Sequence, residues 1–361
     1  MVRCGRLKRT GRLYPVRMLK RRNPDHALNS PGRRGASGGR KNQFLSLYVP
    51  VFIEQVLATL TTMLGTVLVS GVGDYAVSGV GLVDSINLFV VYTFNAIATA
   101  VTVAVSHQIG ARNEPQAGRI AGQSLVVMAE LSVILSLALV FSGQFLLQIL
   151  FRGAEPRVMA AARPYMLMSA LTLPLQVLYA TSAGIMRASG NARTPMLATM
   201  LANVVYVSTS YFSITFLNLG VIGAGIGLTA SRLVSSGLVM LILFQGRGGV
   251  FLPKMTLRPD FKVLAPMFRI AVPVGQDAVL FNGGKLVLQV FISAMGTAAM
   301  AANAIANSLF GILELPGMSM TVVCMTMVGQ SYGSGDIAGT RRQMLRFIGH
   351  TSRQASIIML C

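Results

Sequence analysis

The chain has 361 residues, 53% of them hydrophobic and 12% charged, and a formal net charge of +20. Soluble domains carry about a quarter charged residues, so this composition excludes an ordinary soluble globular protein and points to a membrane. The excess charge is not arranged for nucleic acid, because 13 of the 31 Lys and Arg crowd into residues 1–41 beside a single acid, Asp25.

That first segment, 1–42, is rich in Gly, Pro, Ser and Arg and has too few apolar residues to build a core. It reads as a basic, disordered, solvated extension; an RNA-binding tail, an organelle-targeting presequence or a mis-assigned start codon are the alternatives. It lacks the apolar stretch of a secretory signal peptide.

From residue 43 onward, apolar stretches long enough to cross a bilayer (about 20 residues) recur between short polar breaks. The expected spans lie near 44–70, 77–105, 119–143, 163–186, 195–217, 221–245, 263–294 and 298–328, with a last one starting near 344. Runs such as "LSVILSLALVF" (131–141) lack the spaced polar face of a soluble helix. The fold class is therefore all-α, a polytopic helical membrane protein.

Loop charges orient the chain through the cytoplasmic excess of Lys and Arg. The N-terminus, the loop with Arg112 and Arg119, the "ASGNA" turn between Arg187 and Arg193, the 246–262 linker and Arg341, Arg342 and Arg346 all fall on one side, the cytoplasmic one. The loop 71–76 falls outside and carries no Lys or Arg; Arg152, Arg157 and Arg163 break the rule.

Three cysteines, Cys4, Cys324 and Cys361, and three histidines, His26, His107 and His350, are scattered. No disulfide framework, metal cluster or catalytic constellation follows from them. "GSGDIAGT" (333–340) has glycines but neither a preceding strand nor a phosphate-binding Lys, so it reads as a loop. An enzyme is not expected, nor a metal or organic cofactor.

The sequence repeats itself. A shift of 223 residues places Pro50, Val56, Leu57, Ser70, Gly73, Ala76 and Gly110 on Pro273, Val279, Leu280, Ser293, Gly296, Ala299 and Gly333, and Glu54 on Asp277. Six spans separate the copies, so both enter the membrane in the same sense. This parallel repeat implies a six-helix first lobe over 43–245, the linker, and a partial second lobe over 263–361, an architecture used by alternating-access transporters.

Ionisable side chains at bilayer depth are costly unless paired or facing water. Glu54, Asp84, Asp277, Lys285 and Glu314 all lie within apolar spans. Glu54 and Asp277 occupy equivalent places soon after Pro50 and Pro273, which suits either coupling groups or helix-start residues at the interface. Asp84 and Asn87 lie deeper, and Asn307 is the repeat partner of Asp84, so both are expected to face a shared cavity. Asp277 and Lys285 are eight residues apart, about 12 Å of helical rise, too far for a direct salt bridge in a straight helix. The "NGG" between them (282–284) weakens the helix, or lets another pack closely.

In order and spacing, "VPVFIEQ", "GDYAVSGVG", "VSHQIGARNEPQAGR", "GIMRASGNARTPM", "NLGVIGAGIGLTASR", "GTAAMAANAIANS" and "VGQSYGSGD" resemble the multidrug and toxic compound extrusion (MATE) transporters, from about residue 45 to the C-terminus. The resemblance implies two six-helix lobes around a V-shaped cavity. It also implies export of cationic or amphipathic compounds against a proton or sodium gradient, by a plasma-membrane protein expected to act as a monomer. Asn203 and Thr229 match polar positions of the family's first lobe. Two positions depart: Gly65 and Val207 stand where many relatives carry acids. Measured against the family, the second copy stops inside its third helix, so the chain is expected to be C-terminally truncated and poorly active as it stands. A lipid-linked oligosaccharide flippase of the same wider fold is the alternative, with Lys285 and Arg232 as its support.

Overall fold

The computed structural model describes residues 38–360, apart from 154, 253–259 and 295–296. The basic extension therefore lies almost wholly outside the described residues, as does much of the linker. In chain order the helices are α1 (Gly38–Ser70), α2 (Asp74–Gly110), α3 (Glu114–Leu150), α4 (Pro156–Ala188), α5 (Arg193–Thr215), α6 (Val221–Phe244), α7 (Phe261–Ala294), α8 (Thr297–Gly333) and α9 (Ile337–Leu360). Among the described residues there is no strand.

The helices α1–α8 are long and apolar enough to cross a membrane. The chain is a multi-pass helical membrane protein, as its composition implied. The helix α9 begins at Ile337, earlier than the span expected near 344, and with Arg341, Arg342, Arg346 and Arg353 in its sequence its described part is not among the eight apolar helices. Four guanidinium groups in 24 residues leave no window apolar enough for lipid.

The helix ends follow local chemistry. Asn113 caps α3, its side chain accepting from the Gln116 backbone N–H at 3.3 Å, with Pro115 in the first turn where no N–H is needed. The turn between α1 and α2 needs Gly73 at φ +135, and the α5–α6 turn needs Gly220 at φ +55, backbone regions that L side chains rarely adopt.

Small residues then let the helices approach. A Cβ on Gly79 of α2 would press on the Val158 carbonyl and Ala161 of α4, and one on Gly223 of α6 on Ser213 and Ile214 of α5. Without a hydrophobic drive between helices in lipid, such close packing is what holds a bundle together. One core joins α2, α3, α4 and α6 through Val83, Phe94, Met128, Leu147, Met166, Leu173 and Ala224. A second joins the other ends of α2–α6 to Leu264 and Met267 of α7. A third sets Leu47 and Val51 of α1 against Met320, Val323 and Met327 of α8 and Phe347 of α9.

The 223-residue repeat is visible as a crossing of α2 and α8. A Cβ on Gly110 would fall on the Gln330 backbone, and a Cβ on Gly333 on the His107 backbone. Since Gly110 pairs with Gly333 and His107 with Gln330 under the same shift, the two contacts are images of each other. Gln330 adds a bond from Nε2 to the Ala188 carbonyl of α4 at 2.8 Å. The Gln43 amide of α1 donates to Gln330 Oε1 at 3.4 Å. Four helix ends thus meet at one end of the bundle.

Candidate functional site

Helix α1 is the least buried of the eight apolar helices and reaches its neighbours through polar side chains. Between α1 and α2, α4, α5 and α6, with Val322 and Met325 of α8 also on its wall, lies a cavity of about 500 Å³ lined by both polar and apolar groups. Pro50 leaves one carbonyl of α1 without an intrahelical donor. Thr59, Thr61, Thr62 and Thr66 turn their hydroxyls back onto carbonyls one turn earlier, a pattern that bends helices.

Glu54 projects into this cavity. Both its oxygens lie 3.1 Å from Nη1 of Arg187 on α4. Tyr179, two turns back along α4, donates its hydroxyl to Glu54 Oε1 at 2.9 Å. Thr199 of α5 stands 2.6 Å from the Tyr179 oxygen, and with that proton committed to Glu54, Thr199 is the donor. Asn203 lines the same cavity and donates to the Leu57 carbonyl of α1 at 2.9 Å. The ion pair therefore clips the loosely held α1 to the bundle.

A second polar network lies across α2, α4 and α6. Asp84 lies beside Asn87 and Tyr165 and feels the charge of Arg232. Asn87 accepts from the Ser169 hydroxyl at 2.7 Å, which leaves its amide N–H groups for Asp84. Arg232 Nη1 donates to the Ser169 carbonyl at 3.2 Å and to Thr172 Oγ1 at 2.7 Å. Arg232 lines the cavity, whereas Asp84 lies behind its wall.

The remaining sequence candidates are placed elsewhere. Thr229 of α6 donates to the Gly225 carbonyl at 2.9 Å and does not line the cavity. Asp277 and Lys285 are exposed on α7, and Lys285 Nζ sits 4.7 Å from the Phe281 ring centroid, away from the acid. Helix α7 runs unbroken through "NGG", where Asn282 donates to the Ala278 carbonyl at 2.8 Å. Asn307 is exposed on α8. Asp277, Lys285 and Asn307 are not among the residues that line this cavity, and neither is Asp84.

Sequence reasoning missed Arg187 and Tyr179 as partners of Glu54. Arg187 sits at the last turn of α4 and reads as one more cytoplasmic loop charge, although its side chain is only 17% exposed. The departure at Gly65 also finds its reason. A Cβ there would stand 2.5 Å from the hydroxyl of the buried Tyr206, so the space left by a missing side chain on α1 is taken from α5. Among the described residues no cluster of three His, Cys, Asp or Glu is placed to hold a metal ion.

The sequence profile of the MatE family matches residues 50–212 and 273–361. Probable multidrug resistance protein NorM of Thermotoga maritima is 26% identical over 311 residues, 84% of this chain and 66% of its own length. Multidrug export protein MepA of Staphylococcus saprophyticus is 22% identical over 282 residues, 78% of this chain and 61% of its own length. The chain thus spans about two thirds or less of the curated relatives it matches. Among solved structures, a multidrug resistance MATE family transporter in an outward-facing conformation superposes with a TM-score of 0.81 at 20% identity, over 88% of this chain and 70% of that one. A MOP superfamily transporter from Pyrococcus furiosus, described for the reverse polarity of its binding pocket, gives 0.81 at 22% identity over the same shares. With its profile match spread over both copies of the repeat, the chain belongs to the MatE family.

Proposed function

We propose that this protein is a secondary active exporter that moves small amphipathic organic compounds, cationic ones among them, out of the cell in exchange for protons or sodium ions. The observation that carries this reading is the cavity of about 500 Å³ between apolar helices, with the Glu54–Arg187 ion pair and Arg232 on its wall. A polar chamber at bilayer depth is costly to maintain and marks a substrate or ion path. The names of the relatives, multidrug resistance and multidrug export proteins, support the same reading.

Glu54 is the first candidate for coupling. Its carboxylate holds Arg187 when ionised; once protonated or claimed by a sodium ion, it holds it less tightly. α1 is then free to move against α4. Asp84 is the second candidate, with Asn87, Asn203 and Thr229 as polar support. Asp277, Lys285 and Asn307 would contribute from the second repeat, whose helices form the other lobe in this reading. The two lobes open alternately to either side of the plasma membrane.

The test uses everted vesicles from the source cells and from a strain lacking the gene. Rhodamine B, an amphipathic dye with both a cationic centre and a carboxylate, should accumulate in the former under an imposed proton or sodium gradient and not in the latter. Equal accumulation in both under either gradient would sink the proposal.

A further inference from the structure

The arginine in "LTASRLVSS" lies midway along α6, about as far from either end as the helix allows. A guanidinium stays charged at any accessible pH, so its neighbours must compensate it or water must reach it. Two neutral oxygens, the Ser169 carbonyl and Thr172 Oγ1, take one of its nitrogens, Nη1. Nε and Nη2 have no protein partner among the described residues, and they are not sealed from the cavity that Arg232 lines. No carboxylate of the described residues lies within ion-pair distance of it; Asp84 acts on it only through its field.

The charged side chains on the cavity wall are Glu54, Arg187 and Arg232. The first two satisfy each other at 3.1 Å. One positive charge is left facing the cavity, whose wall also carries Thr102, Ser231 and Ser235, each hydroxyl donating to a carbonyl of its own helix. A guanidinium fork matches the two oxygens of a carboxylate or phosphate.

We infer that Arg232 anchors the anionic group, a carboxylate or a phosphate, of the compound that occupies this cavity. The inference rests on the export reading and narrows it: the cargo carries an anionic group beside whatever cationic centre and apolar body it has. The body would lie toward Ala58, Ala98 and Ala180 of α1, α2 and α4, and the anionic end toward α6.

Binding to the purified chain in lipid nanodiscs tests this without any gradient, so a failure of transport and a failure of this site are told apart. The probes are 2-naphthoate, its cationic counterpart 2-naphthylmethylammonium and dioctanoyl phosphatidic acid, each read as a shift in thermal midpoint with concentration, since a ligand of the folded state stabilises it by mass action. At least one of the two anions should bind, and the cation alone should not. Binding by naphthoate identifies a free carboxylate as sufficient, whereas binding by phosphatidic acid alone identifies a lipid phosphate. Arg232→Gln should weaken the anion by about tenfold or more, the loss of charged hydrogen bonds. Ser235→Asp should weaken it as well, with the arginine kept, because a carboxylate three residues along α6 occupies the fork. Silence of both anions, binding of the cation alone, or equal anion affinity in wild type and Arg232→Gln would each overturn the assignment.

Discussion

Glu54 and Arg187 are only 12% and 17% exposed, and each is the other's charged partner at 3.1 Å. Removing one member leaves the other as an uncompensated buried charge, typically a loss of about 3–5 kcal/mol, whereas replacing both by apolar residues of similar size is often close to neutral. Arg187 makes the asymmetry sharper, because its Nε is buried and already without a partner. Arg187→Met alone should therefore lower the thermal midpoint of the purified protein strongly, and the double variant Glu54→Leu, Arg187→Met should recover most of that loss. Additive losses in the double variant would mean that the two groups are not coupled in the folded protein. Glu54 was legible in the sequence because an acid in an apolar run is conspicuous. Its partner was not: 133 residues separate the two, and an arginine at a helix end reads as a loop charge.

At the scale of elements, the α2–α8 crossing is the feature that depends most on single residues. A methyl group on Gly110 or Gly333 would meet backbone atoms of the facing helix, which cannot swing aside as a flexible side chain can. Gly110→Ala and Gly333→Ala should each cost about 1–3 kcal/mol, the usual range for overpacking. Gly81, on the same α2, has nothing within 4 Å of a new Cβ. Gly81→Ala should leave the thermal midpoint unchanged or raise it, since alanine is the better helix former by about 1 kcal/mol. If all three variants behave alike, the helices do not touch at this crossing. The eight spans were legible because apolar length alone defines them, and the repeat because loop glycines and prolines recur at one offset. The crossing itself was not legible: Gly110 and Gly333 matched as repeat partners, but sequence does not say that partners touch. In α7 the glycines of "NGG" neither end the helix nor permit a close approach, since a Cβ on Gly283 would meet Phe89 at an ordinary 3.9 Å and one on Gly284 nothing.

For the whole molecule, the threading follows from which ends meet. Gln330 of α8 bonds to the end of α4 and to the start of α1, and α8 crosses the end of α2. The start of α1 and the ends of α2, α4 and α8 therefore share one side of the membrane, as alternate crossings require. The structure alone does not name that side; the charges do. Arg112, Arg119, Arg193, Arg247, Arg341, Arg342 and Arg346 are exposed at this end, against Arg152, Arg157 and Arg163 at the other. The cytoplasmic excess of basic residues predicts that the first end is the inner one, and labelling tests it. With Cys4, Cys324 and Cys361 replaced by serine, a membrane-impermeant maleimide added to intact cells should label Asp74→Cys, in the α1–α2 turn region. It should reach Ser334→Cys, just after α8, only once the membrane is permeabilised. Both positions are exposed, so a difference between them reports the side rather than burial. The opposite labelling pattern would turn the protein over, and the end where Gly110, Gly333 and Gln330 meet would then face the outside.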